Sequence, residues 1–204
     1  CKTIDIMVPA ESEIVIEGLI DTDMLEPEAP FAESHGHVAL EDYNTVMDVT
    51  AITYRKDAVF TSIISQLTPS ESSVIKRVAY EPLYLSHLRD SLGIKGVKKV
   101  YLHAPLTNLR RIMFIQMERS VPTTEVWRAL YGASALAAAI GKYVIAVNED
   151  IDPDNGDSVF WALAYRSNPA LDVQILPHRV PYGPRDPRTP KGEDSTLLID
   201  ATLK

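Results

Sequence analysis

Thr68-Pro-Ser-Glu-Ser-Ser-Val-Ile-Lys-Arg-Val78 is where the hydrophobic period of this chain changes. Upstream, β-branched and apolar residues partly alternate in short runs, the signature of half-buried strands; here Val74, Ile75 and Val78 fall at helical spacing. Thr68 or Ser70 suits an N-cap, and Glu71 suits the first turn, where a negative charge meets the positive end of the helix dipole. The helix ends or kinks at Pro82, which lacks an amide hydrogen, and resumes through Leu83 to Leu92 before Gly93.

Upstream, Thr3–Val8, Glu13–Ile20, Thr45–Tyr54 and Ala58–Thr61 read as strands of a barrel or sandwich fragment. Downstream, Val97–Leu102 and Arg110–Met117 read as strands, followed by a helix from Thr124 to Ile140 with Gly141 as its cap. Tyr143–Val147 is a buried-type strand, and Ser158–Arg166 a helix with Phe160, Trp161, Leu163 and Ala164 inward. Val173–Leu176 and Thr196–Ile199 are further strands, and the proline-rich run His178–Lys191 is an extended loop. Alternating β and α predicts a layered α/β domain.

With 204 residues, 46% of them hydrophobic, the chain is long enough for one large or two small domains. A net charge of −8 without a basic stripe argues against nucleic acid or an anionic membrane as the main partner. The near-apolar run Ala133–Ile140 is far shorter than the ~20 residues of a membrane span. Cys1 is the only cysteine, which excludes an intrachain disulfide and points to a reducing, cytoplasmic setting. A chain starting at Cys also reads as a piece of something longer.

The stretch richest in chemistry is Glu26-Pro-Glu-Ala-Pro-Phe-Ala-Glu-Ser-His-Gly-His37. Glu28 and Glu33 stand five residues apart, Pro30 fixes the backbone between them, and Phe31 supplies an apolar neighbour. Two acids aimed at one point suit acid–base work, but spacing alone favours a solvated acidic loop. His35 and His37 face the same side of an extended segment, but His87, His103 and His178 are scattered and no cysteine pair exists, so a hydrogen-bonding or packing role is favoured over zinc. Asn148–Asp157 departs from the spacing of a calcium loop and reads as a capped turn. Lys142, at a helix end beside a buried strand, can serve a ligand phosphate or the helix dipole. Neither phosphate-loop glycine pattern is present, nor a Gly-x-Ser-x-Gly elbow.

Glu28-Ala-Pro-Phe-Ala-Glu33-Ser-His-Gly36 resembles the UbiD family of decarboxylases, whose usual segment is Glu-Gly-Pro-Phe-Gly-Glu, one further residue, then His-Gly-Tyr. Val8–Gly18, Val147–Asp152, Trp161–Arg166 and Asp200–Thr202 are similar to the family in the same order. Ala29, Ala32 and His37 depart from its pattern. The resemblance implies prenylated FMN as cofactor and a reversible decarboxylation of aromatic, heteroaromatic or α,β-unsaturated carboxylic acids. It implies catalytic Glu28 and Glu33 within a Glu-Arg-Glu network, with Glu33 the proton donor, and Lys142 near the flavin phosphate. It further implies manganese and potassium bound through that phosphate. Their ligands and the arginine are expected upstream, so no metal ligand is assigned in this chain.

The expected fold class is α+β: residues 1–67 the C-terminal part of a split β-barrel flavin-binding domain, 68–92 a linker helix, and 93–204 a layered α/β oligomerisation domain. Ile63, Ile64 and Gln66 are candidate pocket residues. Expected partners are the carboxylic acid, further copies of the chain in a homo-oligomer, and the upstream half of the enzyme. A non-catalytic assembly module and a subunit of a larger carboxylase are the alternatives.

Overall fold

The computed structural model describes residues 1–28, 30–38, 42–64, 66–181 and 193–204, so Ala29 and most of the proline-rich loop lie outside the described residues. The chain divides into two units: residues 1–33 with 38–64, and residues 34–37 with 65–204. Within the described residues the class is α+β.

In the first unit, β1 (Ile14–Glu28) and β2 (Asp42–Tyr54) form an antiparallel two-stranded sheet. β1 extends further than its hydrophobic pattern, through Asp21–Glu28, because its backbone pairs with β2 as far as Glu28↔Asp42. At the register shift after Glu17, Gly18 is required by space: a Cβ there would lie 2.6 Å from the Asp48 carbonyl oxygen. Ile16, Leu19, Met47 and Val49 remain exposed on this ribbon.

Two predicted strands are absent. Residues 3–8 are not strand; instead Glu17 accepts hydrogen bonds from the Lys2 and Thr3 amides at 2.6–2.8 Å and from the Thr3 hydroxyl at 2.9 Å. Residues 58–61 are irregular, with the Val59 amide donating to the Glu13 carboxylate at 3.1 Å. Side-chain acceptors have taken amides that a ladder would have used.

The Glu17 carboxyl is lowered from 4.5 to about 2, chiefly by the Thr3 amide, although its partial desolvation opposes the shift. Its stabilising effect is therefore complete above the unfolded value and is lost as pH falls through the folded one. The expected result is release of Lys2 and Thr3 from β1 as pH falls from 4.5 to about 2, read as deprotection of the Thr3 amide. Unchanged protection over that window would refute it.

In the second unit, α1 (Glu71–Ser86) starts on Ser70, whose hydroxyl accepts the Ser73 amide in a reciprocal capping box. It runs through Pro82, and a π turn over His87–Ser91 follows before Gly93 at φ 71°. Val74, Ile75 and Val78 do share a face, but that face is exposed. The inward stripe includes Ser73, Tyr80 and Tyr84, continued by Leu88. Glu81 accepts the Leu102 amide at 2.9 Å, and Arg77 pairs with Glu81 at 2.8 Å while lying over the Tyr101 ring at 4.2 Å. Polar partners on the sheet edge thus choose which face of α1 docks.

The sheet contains β3 (Val97–Leu102), β4 (Ile112–Met117), β5 (Tyr143–Asn148), β6 (Val173–Arg179) and β7 (Asp194–Ala201). Its order is β3-β4-β5-β7-β6, with β4, β5 and β7 parallel and both edge strands antiparallel. Alternation along the central strands fills two cores. Met113, Ile115, Val144, Ala146 and Leu198 pack with α1 and α2 (Thr123–Leu136), whereas Phe114, Ile145 and Val147 pack with α3 (Gly156–Arg166).

α2 stops at Leu136 rather than Ile140: Ala137 is extended at φ −143°, and Arg179 donates to the Ala137 and Ile140 carbonyls at 2.9 and 3.4 Å. Gly141, at φ 78°, instead turns the chain into β5. In α3, Val159 and Ala162 are buried and Leu163 partly so, while Phe160, Trp161 and Ala164 are exposed. Arg166, at the end of this helix, donates to Asn148 at the end of β5 at 3.5 Å.

Candidate functional site

Ala32 and Val38 form an isolated antiparallel bridge, which closes residues 33–37 into a short loop. Glu33 is half-buried on this loop, and Phe31 is exposed. Glu28 ends β1 on the surface, where the Asn44 amide of β2 donates to its carboxylate. Both predicted acids therefore belong to the first unit. Ile63 and Ile64 are exposed.

Within the second unit, a cavity of about 340 Å³ is lined by His35, His37, Asn108, Arg111, Lys142 and Tyr143 among others. The Ser34 hydroxyl bonds to the Asn108 side-chain oxygen at 3.1 Å, and the His37 amide donates to His35 Nδ1 at 3.3 Å. The opposite wall is the turn after β3, where Leu106, Asn108 and Leu109 have positive φ. Thr68 supports that turn by accepting the Asn108 amide at 3.2 Å through its hydroxyl and the Leu106 amide at 3.1 Å through its carbonyl.

Arg111 immediately precedes β4, Lys142 immediately precedes β5, and Asp194 opens β7. Because these strands are parallel neighbours, the three side chains gather at one end of the sheet. Lys142 Nζ donates to the two Asp194 oxygens at 3.1 and 3.4 Å, and Arg111 lies 3.6 Å from the same carboxylate. Burial pushes the Asp194 carboxyl up, but the Ser195 amide, Lys142 and Arg111 outweigh it and the net direction is down. Sequence reading identified Lys142 and missed its two companions. The signal available was a charged residue at the start of each parallel strand.

The other end of the sheet gathers three of the stretches that sequence had singled out. Arg166 donates to Asp150 at 2.9 and 2.6 Å and to Asn148 Oδ1 at 3.5 Å, and it stacks on Trp161 at 4.8 Å. Asp200 is fully buried, accepts from the Thr202 amide and hydroxyl at 2.9 and 2.7 Å, and pairs with Lys204 at 2.8 Å. Asn148–Asp157 is a capped turn: Asn155 accepts the Asp157 and Ser158 amides at 3.1 and 3.4 Å. Among the described residues no three His, Cys, Asp or Glu side chains converge as a metal-binding group.

The arrangement defines a protein with an acid-bearing loop on a β ribbon and a cationic cavity at the strand starts of a three-layer α/β unit. Residues 1–67 match the Rift-related domain of 3-octaprenyl-4-hydroxybenzoate carboxy-lyase, and residues 73–201 match its C-terminal domain, so the chain belongs to the UbiD family.

A phenolic acid decarboxylase of Escherichia coli O157:H7 is 30% identical over 197 residues, covering 96% of this chain and 40% of that protein. The UbiD-class enzyme HmfF from Pelotomaculum thermopropionicum in complex with FMN superposes with a TM-score of 0.81 at 29% identity, covering 100% of this chain and 44% of that one. An evolved dimeric form of HmfF in complex with prFMN gives 0.77 at 28%, covering 100% and 43%. The chain thus spans less than half the length of these relatives. No described helix is long and apolar enough to cross a membrane.

Proposed function

We propose that this chain is the acid-bearing and oligomer-forming part of a cytoplasmic carboxy-lyase that removes carbon dioxide, reversibly, from an aromatic, heteroaromatic or α,β-unsaturated carboxylic acid. The observation that carries the reading is Glu33 after β1: it is half-buried, and it lies in residues 1–67, the stretch that matches the Rift-related domain. Glu33 delivers a proton to the carbon that has lost carbon dioxide, and Glu28, hydrogen-bonded by Asn44, is the supporting acid.

The cofactor in this reading is prenylated FMN. The cavity's donor set fits its phosphate end, since a lysine and an arginine line it together with Asn108. When bound, the flavin supplies a sink for the electron pair that decarboxylation leaves. Lys142 would hold the phosphate; manganese and potassium on that phosphate belong to the same proposal. Residues 68–92 are the connector in this scheme. The exposed Phe160, Trp161 and Tyr165 on α3 suit a role of the α/β unit in self-association.

The test is turnover of the full-length protein carrying this chain, with aromatic and α,β-unsaturated acids in deuterium oxide. One deuterium is expected on the carbon that bore the carboxylate. Absence of carbon dioxide release across that panel, with flavin bound, would overturn the reading.

A further inference from the structure

We propose that Asp194 is a positioning residue that holds Arg111 and Lys142 as a matched pair of donors for a phosphate group in the cavity of the second unit. The inference rests on the phosphate role proposed above for Lys142 and adds two residues to it. Asp194 has a side chain 9% exposed, against 34% for Lys142 and 19% for Arg111, so the carboxylate is the buried member and the cations are the ones that reach the opening. Its own orientation is fixed, because the Ser195 amide donates to Oδ1 at 2.8 Å and β7 is locked beside β5 by the Leu197 amide on the Lys142 carbonyl at 2.8 Å.

The backbone under the two cations is equally tied. The Gly141 amide donates to the Arg110 carbonyl at 2.8 Å and the Tyr143 amide to the Arg111 carbonyl at 2.9 Å, so the residues preceding β4 and β5 cannot slide past each other. Lysine and arginine side chains each lose considerable rotamer freedom on binding an anion. A buried carboxylate shared by both removes part of that loss beforehand. Both cations line the cavity, together with Asn108, His35 and His37.

Simple charge and positioning predict opposite signs for one substitution. Asp194→Asn removes a negative charge from beside the two cations of the cavity, and Coulombic attraction alone would then tighten anion binding. Positioning predicts the reverse, a weakening of about tenfold, through loss of charge-assisted contacts that orient the donors. The experiment titrates the 15N-labelled chain with inorganic phosphate, FMN and riboflavin, following amide shifts of Asn108, Lys142 and Tyr143.

FMN and phosphate are expected to shift these amides and riboflavin to leave them unmoved. Asp194→Asn should weaken FMN and phosphate by about tenfold, with Asp194→Glu intermediate and the core amides Val144 to Val147 unchanged. Arg111→Gln, which leaves the Asp194–Lys142 pair intact, should weaken phosphate by a similar factor, and it carries the test should Asp194→Asn fail to fold. Unchanged or tighter phosphate binding in Asp194→Asn, or unchanged binding in Arg111→Gln, with Lys142→Met losing it, overturns the inference alone. A parent chain that does not distinguish FMN from riboflavin overturns the underlying phosphate reading.

Discussion

Replacing Glu33 by Gln in the full-length enzyme is expected to lower turnover by about 10²–10⁴-fold, the usual contribution of a positioned general acid or base. Gln keeps the size and one hydrogen-bonding oxygen of Glu, so loss of activity reports loss of the transferable proton rather than collapse of the loop. The loop is independently closed by the Ala32–Val38 bridge, which uses no Glu33 side-chain atom. Substrate affinity should change little, and the deuterium that enters product should fall with turnover. Parent-like turnover in Glu33→Gln would remove Glu33 from the reaction. Glu28→Gln should have the smaller effect, because Asn44 can still hydrogen-bond to the amide oxygen.

Arg166→Ala is expected to destabilise the α/β unit by roughly 2–3 kcal/mol, a midpoint shift of about 4–12 °C for a unit of this size. Its side chain is only 7% exposed, whereas Asp150 is 39% exposed, so solvent screens part of the ion pair and the loss stays below that of a fully buried pair. The remainder comes from the Asn148 contact and from the Trp161 face that Arg166 covers. Arg166→Lys should recover only part of the stability, since one ammonium cannot reproduce the two-pronged contact with Asp150. Thermal unfolding of the chain measures both, and an unchanged midpoint for Arg166→Ala would show the network to be idle. The family-like stretches thereby divide in role. Those at the ends of β5 and β7 hold the fold, and the one after β1 carries acids.

The apolar runs of β3, β4, β5 and β7 were legible because these strands pack in a layered core, where hydrophobic pattern and burial coincide. The face of α1 was not legible. Val74, Ile75 and Val78 form the more apolar stripe, yet Glu81 satisfies an amide of the edge strand β3, and a hydrogen-bonding requirement outranked the stripe. The run 3–8 likewise failed as a strand: the Thr3 amide at its start serves Glu17, a partner no local pattern names. α3 was placed correctly but rotated wrongly, and its Arg166 reaches Asp150, just past the end of β5 and 16 residues earlier in the chain.

By itself the sequence determined where β gives way to α/β and which stretches resemble the UbiD family, and it named Glu28, Glu33 and Lys142 as the residues to test. Those are properties of local order along the chain. Only the tertiary structure decided that Arg111 and Asp194 stand with Lys142, since residues 31 and 52 positions away on either side meet solely because β4, β5 and β7 lie parallel in register with their starts together.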